Sequence, residues 1–137
     1  ERGLKLVTIP YVSGSYIEND YRFGDIRMTS ASPEEWISLI KHAEYVFTDS
    51  FHGTAFAHIY RKQFFSFLVG DQNRERAIRI STLLALYGTE ERFCTSDATK
   101  NIDYLLHSPD IDYSEESKEI AEKKAESFDF LKKNLKR

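Results

Sequence analysis

The run Glu44-Tyr45-Val46-Phe47-Thr48-Asp49-Ser50-Phe51-His52-Gly53-Thr54 is where the chain concentrates its chemistry: an apolar segment ends in small polar residues and a histidine, and an amphipathic pattern begins. A strand that feeds a helix through such a turn sets its last residues at the carboxyl edge of a sheet. The helix's unpaired N–H groups lie there too, and open α/β folds bind ligands at that edge. Those N–H groups contribute up to ~2 kcal/mol to an anion held in a partly buried site. Ser50 would donate a hydroxyl as well as cap the helix, and the missing side chain of Gly53 would let backbone approach an anion closely. His52 is the candidate for proton transfer or for direct contact with the anion, against a plainer role capping backbone groups beneath the loop. Asp49 could orient His52, bind a substrate hydroxyl, or serve as the helix N-cap, the commonest use of an Asp at this place. With only two plausible ligands nearby, no metal is expected.

Arg74, Arg76 and Arg79 form the second charged group. Guanidinium forks suit carboxylates and phosphates, and a helix starting just beyond a Phe64 to Val69 strand would bring them to the same carboxyl edge as His52. An ordinary solvated face is the alternative. His42, His58 and His107 receive no functional role; His58 lies roughly 240° round the helix from His52. Cys94 is read as a packing residue, since no local sequence marks an activating base. Tyr11, Tyr16, Tyr21 and Phe23 could stack on sugar rings or simply pack.

The elements that must position these residues alternate between strand and helix. Leu4 to Pro10 is a strand pattern, Tyr11 to Gly24 a long loop, and Asp25 to Thr29 a weak second strand. Ser32-Pro33-Glu34-Glu35 is a helix start, with Ser32 as N-cap, Pro33 at N1 and Glu35 closing a capping box. That helix runs to about Ala43 and carries Trp36, Ile37, Ile40 and Ala43 as a packing stripe. Tyr45-Val46-Phe47 is the next strand, and Phe51, Ala55, Phe56 and Ile59 are the expected buried side of the helix after it. Gln63 to Val69 suits a strand covered on both faces. Arg76 to Tyr87 is helical and stops at Gly88. Residues 89–109 are mixed, with a short helix at Ile102 to Leu106. A long terminal helix spans about 114–136, with Ile120, Phe128, Leu131 and Leu135 on one side. Parallel strands joined by helices, a Rossmann-like α/β fold, is the simplest topology.

Composition bounds the function. At 137 residues and 41% hydrophobic, the chain can bury a real core as one domain, 1–137, and no run approaches a membrane span. A net charge of −3 with acids and bases mixed throughout offers no basic face for nucleic acid. One cysteine fits a reducing compartment, so a cytoplasmic location is expected. The chain opens without an initiator Met or a signal-like segment and reads as a piece of a longer protein.

Ser32-Pro33-Glu34-Glu35-Trp36, the run through Ile40 and Ala43 to Val46, and Thr48-Asp49-Ser50-Phe51-His52-Gly53 resemble the polysaccharide pyruvyl transferase family. The likeness continues through Arg79-Ile80-Ser81-Thr82-Leu83-Leu84 and Ile111-Asp112-Tyr113. Arg79 matches the arginine that precedes Ile-x-x-Leu-Leu in the family, while an Asn often found two positions earlier is Ala77 here. The resemblance implies transfer of a pyruvyl group from phosphoenolpyruvate to sugar hydroxyls of a bacterial surface polysaccharide or exopolysaccharide, with no cofactor beyond that donor. It also implies a two-domain fold similar to GT-B glycosyltransferases. This chain would be the C-terminal, donor-binding half, lacking an upstream strand and helix, with the N-terminal half of the same protein as its partner. A sugar or lipid-linked glycan would be the acceptor, placing the full protein at the inner face of the membrane. The fragment alone would be inactive and tend to self-associate through an exposed sheet edge. Two other readings stay open: the donor half of a GT-B glycosyltransferase holding a nucleotide sugar, and a non-catalytic binding or assembly module.

Overall fold

The computed structural model describes residues 3–9, 23–68, 74–94, 102–114 and 118–135. The chain divides into two compact units, 1–39 and 40–137. Much of the long loop expected at 11–24, and Val69, lie outside the described residues.

In the first unit, β1 (Val7–Thr8) pairs in parallel with β2 (Ile26–Arg27), Val7 opposite Ile26. Both are shorter than the patterns around them suggest. The Asp25 carboxylate accepts the Leu6 N–H at 2.7 Å, and the Leu6 carbonyl accepts the Asp25 N–H at 2.8 Å. Gly24 sits at φ 95°, and a Cβ there would lie 2.8 Å from Thr8 Cγ2, so this corner needs a glycine for both conformation and space.

Helix α1 (Pro33–His42) begins as its sequence predicts. Ser32 N–H donates to the Glu35 carboxylate at 2.8 Å, and Glu35 N–H donates to Ser32 Oγ at 3.2 Å, a reciprocal capping box. Ile40 is buried, whereas Trp36 and Ile37 are half-buried.

The second unit is built on a parallel sheet in the order β3 (Tyr45–Thr48), β4 (Gln63–Phe67), β5 (Phe93–Cys94). Phe64, Phe65 and Ser66 are buried in succession along the central strand β4, so both of its faces are covered. On one face the Ser66 hydroxyl meets Thr54 of α2 (Phe51–Ile59), and Phe64 lies edge-on to His58 of the same helix. On the other, Phe65 meets Tyr104 of α4 (Ile102–His107) and the Arg92 guanidinium. The molecule is an α/β protein of parallel strands flanked by helices.

The expectation about the buried face of α2 is corrected. In α2 the buried residues are Gly53, Thr54, Ala57 and His58, while Ile59 is 61% exposed and Phe51, Ala55 and Phe56 are half-buried. Apolar residues surround this helix, so periodicity leaves its inner face open, and the hydroxyl pair with Ser66 sets the rotation. In α5 (Lys118–Leu135) Ile120, Phe128 and Leu131 line one surface as expected, with Ile120 buried and Phe128, Leu131 and Leu135 exposed.

Helices α2 and α3 (Arg74–Tyr87) end alike. In α3, Gly88 takes φ 65° while Thr89 N–H donates to the Leu84 carbonyl and Gly88 N–H to that of Ala85. In α2, Lys62 N–H donates to Ala57 and Arg61 N–H to His58, but the left-handed residue is Arg61, φ 53°. Beyond α4, the Gln63 amide accepts the Ile111 N–H at 2.7 Å and donates to its carbonyl at 3.0 Å, as a neighbouring strand would. Tyr113 Oη donates to the Lys62 carbonyl, and Arg92 to that of Pro109, fastening this segment beside the start of β4.

Candidate functional site

The turn from β3 into α2 is held by a relay of small polar groups. Thr48 Oγ1 accepts the Ser50 N–H at 3.1 Å, and Ser50 Oγ accepts the Gly53 N–H at 3.3 Å. The Ser50 carbonyl accepts from both the N–H and the hydroxyl of Thr54, at 3.0 and 3.1 Å. Ser50, in extended conformation, is therefore the N-cap, and Asp49 is left for another task. Because Ser50 Oγ accepts in this cap, its hydroxyl proton stays available to a ligand.

Gly53 is buried, and a Cβ on it would overlap the Thr48 side chain, with Thr48 Cβ 3.0 Å and Cγ2 3.1 Å away. The space left by its missing side chain is taken up by the strand. The first-turn N–H groups of Phe51 and His52 have no acceptor within the helix and mark the end that an anion could approach.

Parallel pairing of β3 with β4 sets the helices that follow them, α2 and α3, at one sheet edge. There Asp49 Oδ2 lies 3.4 Å from Arg76 Nη1, both side chains part-exposed. Arg79 is exposed and sets its guanidinium carbon 4.5 Å from the centroid of the Phe51 ring. The exposed imidazole of His52 stands edge-on to that same ring, centroids 5.6 Å apart. The structure thus brings Asp49 to Arg76, and both His52 and Arg79 to the ring of Phe51. Among the described residues Asp49 and His52 are not bonded to each other, and Arg74, exposed at the first residue of α3, joins no described contact of this group. Phe51 and Arg79 also line a groove of about 690 Å³ with Ile78, Leu83, Leu86 and Lys123. Such a surface can hold an anion beside a proton carrier; among the described residues no three His, Cys, Asp or Glu side chains converge on a metal position.

Phe51 is the residue that sequence reasoning missed at this site. Helical spacing assigned it to the core, and only its place between Ser50 and His52 hinted otherwise. His58 is structural: 4% exposed, it stacks on Tyr87 at 3.9 Å, and its Nε2 lies 3.3 Å from Thr89 Oγ1. Burial lowers its pKa to about 4.

No helix among the described residues is long and apolar enough to cross a membrane. No curated protein and no solved structure matches the chain. The family model described as polysaccharide pyruvyl transferase matches residues 2–71, which takes in β1 to β4 and the whole β3 to α2 turn but stops short of the three arginines. Since that match spans just over half of the chain and contains the Asp49 to Gly53 turn, the protein belongs to the polysaccharide pyruvyl transferase family.

Proposed function

We propose that the protein transfers a pyruvyl group from phosphoenolpyruvate to sugar hydroxyls, closing a pyruvate ketal on a bacterial surface polysaccharide or exopolysaccharide. The chain supplies the donor side of the site. In this reaction a proton goes to the donor's methylene carbon and a sugar hydroxyl adds at the central carbon, losing its own proton. Phosphate leaves as a second hydroxyl of the same sugar closes the ring, and the proton of that hydroxyl goes to the departing phosphate. Donor and diol become ketal and inorganic phosphate.

That chemistry needs two anionic groups held and protons moved beside them. The observation that supports the reading is the shared carboxyl edge of β3 and β4, where the α2 N-terminus and the arginines of α3 meet. Arg79, with Arg76 and Arg74, would hold the phosphate and carboxylate, and Ser50 would add its hydroxyl. His52 would carry the proton, to the methylene or from the hydroxyl. Asp49 keeps Arg76 at the turn through their 3.4 Å contact. Gly53 lets α2 seat closely on Thr48 and so sets where the helix N-terminus points.

The test is release of inorganic phosphate from phosphoenolpyruvate by the whole protein, with and without a glycan acceptor, and detection of the ketal on the product. Acceptor-dependent phosphate release with ketal formation supports the reading. Thermal stabilisation by a nucleotide sugar and none by phosphoenolpyruvate would overturn it.

A further inference from the structure

We infer that Phe51 is a positioning residue for donor binding, its ring holding the Arg79 guanidinium in place without neutralising it. This rests on reading Arg79 as a donor ligand. The root of the ring is rigid: Phe51 is the first residue of α2, directly after an N-cap fixed by Thr48 Oγ1 on one side and Gly53 N–H on the other. The ring is half-buried, with the Arg79 guanidinium carbon 4.5 Å from its centroid and the His52 imidazole against it edge-on.

Two other arginines carry a carboxylate, Arg92 in addition to the Phe65 ring it lies over. Arg76 is paired with Asp49 at 3.4 Å and Arg92 with Glu91 at 3.3 Å. Among the described residues Arg79 has no carboxylate partner. A carboxylate takes up part of the guanidinium fork and offsets part of its charge. An aromatic ring attracts the cation through its face and leaves the in-plane N–H groups uncommitted. A long side chain on an exposed helix is thereby ordered before the anion arrives, which lowers the ordering cost of binding.

The experiment compares Phe51→Leu and Phe51→Tyr, each alone and combined with Arg79→Ala. It measures phosphoenolpyruvate affinity by calorimetry, steady-state KM and kcat, and thermal melts. Phe51→Leu should weaken donor affinity and raise KM about two- to tenfold with kcat held, the size of a lost cation–π contact. Phe51→Tyr should restore both. In the Arg79→Ala background Phe51→Leu should add nothing, because its effect runs through Arg79. Equal losses in both backgrounds, or unchanged affinity in Phe51→Leu while Arg79→Ala binds weakly, would overturn the role of Phe51 alone. Unchanged affinity in Arg79→Ala would overturn the reading of Arg79 as a donor ligand, and this inference with it.

Discussion

The Thr54 and Ser66 hydroxyls meet at 2.7 Å, both wholly buried, and join the first turn of α2 to the central strand. Thr54 Oγ1 also donates to the Ser50 carbonyl at 3.1 Å, so its own oxygen is left to accept the Ser66 proton. The two deletions are therefore unequal. Thr54→Val strands a buried donor on Ser66 and should cost about 1–3 kcal/mol, whereas Ser66→Ala leaves Thr54 still donating and should cost about 1 kcal/mol. Urea melts of the two variants check the order, and a larger loss in Ser66→Ala would reverse this donor assignment.

His52 and Arg79, which both meet the Phe51 ring, should separate kinetically. His52→Ala is expected to depress kcat with little change in donor KM. Arg79→Ala is expected to weaken phosphoenolpyruvate binding by ~1.5–3 kcal/mol, the worth of a charged hydrogen bond. Both side chains are exposed, so thermal midpoints should stay close to wild type. Near wild-type turnover in His52→Ala would return His52 to a structural role.

Acid sensitivity should trace to His58. Its folded pKa is lowered to about 4 by burial, against an ordinary value near 6.5. Between these values the unfolded chain takes up a proton that the folded state refuses. The contribution is therefore fully present above pH ~6.5 and is lost as pH falls towards ~4, by up to about 3 kcal/mol. Stability curves at successive pH values should steepen in this window, and His58→Phe, which keeps the stack on Tyr87, should flatten it. An unchanged slope in the variant would assign the acid loss to other groups.

The matched helix ends make a paired prediction at Arg61 and Gly88. A non-glycine residue in the left-handed region costs about 1–2 kcal/mol, offset in part by the greater freedom glycine gives the unfolded chain. Arg61→Gly should accordingly raise stability by about 0.5–1 kcal/mol, and Gly88→Ala should lower it by about 1 kcal/mol. Denaturant midpoints measure both, and destabilisation by Arg61→Gly would show that its side chain contributes more than the backbone strain removes.

What the sequence by itself determined were features made by neighbours along the chain. The Ser32–Glu35 capping box and the Gly88 helix stop are interactions across three to five residues, so residue types alone specify them. The near-continuous apolar run around β4 likewise announces burial on both faces, and the Asp49 to Gly53 turn announces a helix N-terminus beside a strand end. Tertiary structure decided whatever depends on partners distant in the chain. Asp49 turns to Arg76, 27 positions away, and so leaves the capping of α2 to Ser50. The inner face of α2 was illegible because its apolar residues give no contrast, and its rotation comes from Thr54 on Ser66 and from Gly53 on Thr48. The two-residue strand β5 is too short to carry a pattern and exists through its pairing with β4. Phe51 looked like core for the same reason: helical spacing marks it as apolar, and only the seating of α3 beside α2 puts a guanidinium on its ring.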